Sequence, residues 1–202
     1  MSHQPVTVEP SAPSLLALNV QSMGLTDDQF DKLCQANPDL RIELTSKGEL
    51  IIMPPTGMKT GWRNGKITGR LFEWTEKDAS GLSFDSSTLF TLPDGSKRSP
   101  DAAWIRREKV EKLSQEEQAG FAAIVPDFVI ELQSPSDRWP VLEEKMLDYM
   151  RNGVQLAWLI DPAKKRVYIY RPNQPVQALD NPETVSAQPE LADFTFNVQE
   201  IW

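Results

Sequence analysis

The sequence predicts a mixed α/β domain of the α+β class, a central mixed β-sheet flanked by helices, from three observations. Phe128-Val129-Ile130-Glu131-Leu132 is an apolar, β-rich run of the length of a buried strand. Directly after it, Val141, Leu142, Met146 and Tyr149 recur at i, i+3, i+4 spacing, the stripe of a helix that Ser136 or Asp137 caps and that runs to about Asn152. On either side, alternating segments come in pairs joined by turns: Leu40 to Leu44 with Glu49 to Met53, and Leu156 to Ile160 with Arg166 to Tyr170.

The 202 residues fit one domain with tails, and the 40% apolar content is a globular value. No apolar run approaches the ~20 residues of a membrane span, so no membrane partner is expected. A single cysteine, Cys34, excludes an internal disulfide and fits a reducing, cytoplasmic setting. The net charge of -8 argues against broad, salt-driven coating of nucleic acid, though not against a nucleic-acid enzyme whose local field comes from metal ions.

Residues 1–20, with Pro5, Pro10 and Pro13, read as a loosely ordered N-terminal arm that also holds the only histidine, His3. Residues 21–202 then form one domain, with a core of about 25–171 and a tail packing back onto it. Thr26-Asp27-Asp28-Gln29 is a capping box opening a helix in which Phe30, Leu33 and Cys34 face inward, and Asn37-Pro38 ends it. Ser46-Lys47-Gly48 turns the first hairpin. From Asn64 to near Gly81 a helix points Ile67, Leu71, Phe72 and Trp74 to one side; Trp62 and Trp74 read as packing residues. Phe84 to Leu92 reads as one strand, antiparallel to Ala102 to Ile105, and Arg106 to Gln118 as a solvated, helix-prone connector. After the second hairpin, 172–190 is irregular, and Phe194, Phe196, Ile201 and Trp202 return to the core.

Glu131 is the anomaly. Period-2 geometry puts Phe128, Ile130 and Leu132 on one face, and Val129, Glu131 and Gln133 on the other. A carboxylate inside a core strand needs a cation, a metal or several donors. Lys145 lies within the apolar stripe of the next helix and offers a charge. Asp127 is roughly 13 Å away along the same strand, too far to share one ion. Asp101, on a different strand, can approach to about 5 Å by cross-strand pairing. Two carboxylates that close repel unless a cation separates them, and an all-oxygen set favours Mg²⁺ or Mn²⁺. The structural alternative is a self-satisfied Glu131–Lys145 ion pair with Asp101 capping a turn. Glu43, opposite Leu40, Ile42 and Leu44 in the alternation, reads from pattern alone as solvated.

Ser99-Pro100-Asp101, then Glu131-Leu132-Gln133-Ser134-Pro135-Ser136-Asp137, Lys145, Tyr149, Gly153-Val154 and Trp158 to Pro162 resemble a bacterial family catalogued as putative restriction endonucleases. That family is similar to the wider PD-(D/E)xK nucleases, with their restriction endonuclease-like core. The resemblance covers roughly Leu25 to Arg171 and is most specific from Pro126 to Tyr149. It implies a metal held by Asp101 and Glu131, with the Leu132 carbonyl a further ligand, and it makes Glu43 a member of the site. Two positions depart from the pattern: Gln133 stands where the wider group has lysine, and Asn64 where the closer family often has histidine. Lys145 would then supply the missing charge.

The resemblance implies an endonuclease-like protein that hydrolyses phosphodiester bonds in nucleic acid, DNA by preference. Mg²⁺ or Mn²⁺ polarises the phosphate, Lys145 assists the attacking water, and Gln133 positions water or phosphate. The alternative is a weak or inactive nucleic-acid-binding or protein-interaction module on the same fold. Asp101 and Glu131 as a glycosidase-like acid pair rank lower, because the lysine would keep both ionised. Lys59, Arg63, Lys66 and Arg70, with Lys97-Arg98, offer phosphate contacts, and cutting both strands would suit a two-fold homodimer.

Overall fold

The computed structural model describes residues 15–202. His3 and most of the predicted arm lie outside the described residues. The chain runs β1 (Leu16–Asn19), α1 (Asp27–Ala36), β2 (Arg41–Leu44), β3 (Glu49–Met53), α2 (Met58–Asp78), β4 (Gly81–Asp85), β5 (Phe90–Thr91), β6 (Lys97–Arg98) and β7 (Ala102–Arg106). It continues through α3 (Arg107–Val110), α4 (Gln115–Ala119), β8 (Phe128–Leu132), α5 (Trp139–Arg151), β9 (Leu156–Asp161), β10 (Arg166–Tyr170), β11 (Gln177–Asp180), β12 (Thr184–Ser186) and β13 (Thr195–Asn197).

Six strands form the main sheet in the order β11-β10-β9-β8-β7-β4, and β8 and β9 are its parallel pair. Parallel neighbours require a crossover, which α5 supplies. All five residues of β8 are buried, since both faces of the sheet are covered. Ile67 and Leu71 of α2 cover one face with Phe194, Phe196 and Ile201 from the chain end, over Phe128, Ile130 and Leu132. Leu142, Met146 and Tyr149 of α5 cover the other, over Val129. The two clusters reproduce the predicted period-2 division of β8.

A smaller sheet, β1-β3-β2-β6-β5, packs under α1 around Phe30, Ile42, Leu44 and Leu50. The Thr26 capping box is formed, and Gly48 turns the β2–β3 hairpin with φ of 74°. No helix among the described residues is long and apolar enough to cross a membrane.

Several expectations need correction. Leu16–Asn19, assigned to the arm, is a strand paired with β3. Phe84 to Leu92 is not one strand: it breaks after Asp85, whose carboxylate accepts from the Ser87 N–H, and resumes as β5 in the other sheet. Helix α5 begins with Pro140 in its first turn and Arg138 as an N-cap that makes no side-chain bond; Asp137 instead accepts from the Ser134 N–H. Val141, Phe72 and Trp62 are exposed rather than packed, whereas Trp74 packs on Trp104 and Phe194 as expected. The tail predicted as irregular contains β11 and β12.

Gly81, the first residue of β4, leaves no room for a side chain: a Cβ there would sit 2.3 Å from the Trp104 ring and 2.5 Å from the Ile105 carbonyl oxygen. Gly81→Ala is expected to lower unfolding free energy by about 1–3 kcal/mol, the usual cost of overpacking, measured by urea denaturation.

Candidate active site

Strand β8 and helix α5 place the two residues that anchor the site. Glu131 stands on the α5 side of β8, and Lys145, buried in the stripe of α5, points its ammonium back at it. Lys145 Nζ lies 2.8 Å from Glu131 Oε1 and 2.9 Å from Glu43 Oε1, with the Ser99 carbonyl at 3.5 Å. Tyr149, one turn further along α5, donates its hydroxyl to the same Glu131 oxygen at 2.8 Å. Both interactions fall on Oε1, leaving Oε2 outside these bonds.

Glu43 is not on a solvated face. It is 2% exposed, and the small sheet aims it into the junction with the main sheet. There it accepts from Arg98 Nη1 at 3.2 Å and from the Ser99 N–H at 2.9 Å, besides Lys145. Arg98 also binds Asp148 of α5. Arg98 is therefore a buried structural cation, not a phosphate contact. The sequence reading gave Arg98 only the phosphate role and gave Asp148 none. Asp148 had one signal, a spacing of three from Lys145 on the same helix side.

Asp101 follows β6 and immediately precedes β7. The register pairs Ala102 with Ile130, so one step beyond it Asp101 lies beside Glu131. Asp101 does not cap a turn: Oδ2 accepts from the Leu132 N–H at 2.8 Å and Oδ1 from Asn64 Nδ2 at 2.9 Å. Because N–H and C=O of one strand residue face the same neighbour, the Leu132 carbonyl shares the edge that Asp101 faces. Asp127 plays a different part, accepting from the Arg106 N–H and pairing with Lys109.

The electrostatics follow from burial. Burial pushes Glu131 up to about 7, opposed by Lys145 and reinforced by the charges of Asp101 and Glu43. Asp101 is also raised by burial, despite the Leu132 N–H and Lys145. Burial alone would raise Glu43, but Lys145 and Arg98 outweigh it and hold that carboxyl below its ordinary value. Lys145 is raised because the two glutamates overcome its own desolvation. Acids thus outnumber the cations among Glu43, Asp101, Glu131, Asp148, Arg98 and Lys145.

Two further atoms complete the site. Gln133 Oε1 and Asn64 Oδ1 are buried without a hydrogen-bond partner among the described residues. With the two raised carboxylates, these orphaned acceptors make a hard, oxygen-only donor set that suits a divalent ion such as Mg²⁺, which is usually held by one or two carboxylates plus water and substrate phosphates. A cage of three or more acidic, Cys or His groups is not present among the described residues. The donors fit an ion that shares its shell with substrate.

A protein-family model described as Uma2, putative restriction endonuclease, matches residues 27–199. The chain belongs to the Uma2 family. Among solved structures it is similar to a putative nuclease belonging to DUF820 from Anabaena variabilis, with a TM-score of 0.73 and 22% identity over 88% of this chain and 97% of that one. That likeness shows the restriction endonuclease-like fold. No curated protein matches the chain. The basic residues of α2 depart from expectation: Arg63 donates to the Ile201 carbonyl, while Lys66 and Arg70 pair with Glu200. Most of that row ties the Uma2 chain end to α2 rather than facing phosphate.

Two measurements test the cluster. In metal-free protein Glu131 titrates near 7 when folded and near 4.5 when unfolded, so its contribution is complete below pH 4.5 and is lost as pH rises through 7. Between pH 5 and 8 the wild type should therefore lose on the order of 3 kcal/mol relative to Glu131→Gln, read from urea unfolding in chelator. Lys145→Met, which leaves two buried carboxylates without their shared cation, is expected to cost about 3–5 kcal/mol in the same assay at pH 7.

Proposed function

We propose that this Uma2 chain is a metal-dependent endonuclease that hydrolyses phosphodiester bonds of nucleic acid, DNA by preference. The observation that carries this is the juxtaposition of Asp101 and Glu131 at the end of β8, both raised, with the partnerless acceptors Gln133 Oε1 and Asn64 Oδ1 beside them. Asp101, Glu131 Oε2 and the Leu132 carbonyl would hold Mg²⁺ or Mn²⁺. The bound ion supplies Lewis-acid polarisation of the phosphate and a more acidic water.

The protein's own groups do the positioning. Lys145 has its three donor directions taken by Glu131, Glu43 and the Ser99 carbonyl. Its part in this reading is to fix Glu131, not to touch the attacking water. Orienting that water falls to Gln133, whose free Oε1 accepts a hydrogen bond from it. The water oxygen bonds to phosphorus and gives up a proton to solvent, while the bond from phosphorus to the sugar oxygen opposite breaks and that oxygen takes up a proton from solvent. Asn64 orients Asp101 through its amide.

One observation favours the second reading, a binding module without activity: Lys145 is saturated by Glu131, Glu43 and the Ser99 carbonyl, so this lysine is not available to the charge building on the transition state. Calorimetry with Mn²⁺ and cleavage of plasmid DNA separate the two. The active reading expects Mn²⁺ uptake, cleavage suppressed by chelator, and loss of both by at least a hundredfold in Asp101→Ala. Equal cleavage by wild type and Asp101→Ala would remove the proposal, and DNA binding without Mn²⁺ uptake would establish the module.

A further inference from the structure

Helix α2 buries Ile67 and Leu71, yet its opposite side is not the charged face a surface helix normally shows. Met58 is 92% exposed, Trp62 49% and Phe72 54%. These three, with Gly65, Gly69 and Glu76, recur in steps of four, three, four, three and four. At about 100° per residue, all six fall within about 40° of one line along the helix, on the side away from Ile67. A Cβ on Gly65 or Gly69 would meet nothing within 4 Å, so this chain's own packing does not require either glycine. Glycine weakens a helix interior, so both are unexplained within one copy.

The spacing is the same read from either end. Position 58 mirrors 76, 62 mirrors 72 and 65 mirrors 69, about a centre at Ile67. A stripe with that symmetry complements itself when two copies of α2 run antiparallel across a two-fold axis. Trp62 then meets the partner's Phe72, and Gly65 meets the partner's Gly69 where the backbones come closest. Lys59 and Glu76 are exposed and have no ion-pair partner among the described residues. In this register Lys59 lies beside the partner's Glu76, and the pair forms twice.

We infer that the outer face of α2 is a homodimer interface, occupied by α2 of a second copy in antiparallel register. The stripe is about 27 Å long by about 10 Å wide, below the ~800 Å² per partner of a standard interface. The dimer is accordingly weak and concentration-dependent, with dissociation in the micromolar range. The inference stands on the surface of α2 alone and is independent of whether the site cuts nucleic acid.

Sedimentation of the full chain from about 2 to 200 μM is expected to show mass rising from 22.8 kDa toward twice that value. Gly65→Leu and Phe72→Glu should each weaken association at least tenfold, with circular dichroism confirming an intact fold. Lys59→Glu and Glu76→Lys should each weaken it, and the double variant should recover it, because the pair is re-formed with its signs exchanged. A chain that stays monomeric at every concentration overturns the inference, as does a dimer indifferent to Phe72→Glu or a double variant weaker than both singles. Phe72→Glu losing DNA binding without changing mass would likewise overturn it, assigning the face to nucleic acid. Dimerisation only after deletion of residues 1–14 would overturn it too, assigning the face to the chain's own N-terminal segment.

Discussion

A single ammonium group joins the parts of this protein that would otherwise be independent. Lys145 comes from α5, Glu131 from the middle of the main sheet, and Glu43 from the smaller sheet. Each is too buried to keep its charge alone, since desolvating an isolated ion costs several kcal/mol. The three charges therefore require one another. Arg98 and Asp148 extend the requirement, so that β2, β6, β8 and α5 are locked at one relative position. The end of β8 that carries Glu131 sits on that lock, at the junction of the two sheets.

The same arrangement leaves something over. Burial raises both Asp101 and Glu131 further than Lys145 lowers them, and the neighbouring acids add to the rise at Glu131, so both carboxyls bind protons more tightly. Amide oxygens on Gln133 and Asn64, buried without a partner among the described residues, add two further acceptors. Buried acceptors in excess of the paired cations are the chemistry that a bound cation would satisfy. Cations that tolerate water and phosphate in their shell suit it better than those that need a complete protein cage.

Local rules carried far along this chain. The capping box at Thr26, the hairpin at Ser46 to Gly48, the β8 alternation and the α5 stripe apart from Val141 each depend on neighbours within about one turn or one strand, and each stands as read. Failures came where two elements compete for one segment. Phe84 to Leu92 is uniformly strand-like, but Asp85 breaks it by bonding its own loop, and the halves pair in different sheets. The basic row on α2 looked like a phosphate surface because Glu200 and the Ile201 carbonyl, which neutralise or bind most of it, lie 130 residues or more away in the chain.

What the sequence by itself determined is therefore the chemistry available: an acid stranded in a core strand, a lysine in an apolar helix stripe, and a second acid ahead of the neighbouring strand. These are properties of periodicity, and periodicity is local. Which charge meets which was settled only by tertiary structure. Glu43 alternates as a solvated residue would, and nothing in its strand reveals that a second sheet closes over it and delivers it to Lys145. Long-range electrostatic pairing depends on how whole sheets pack, and that information exists nowhere in any single window of the chain.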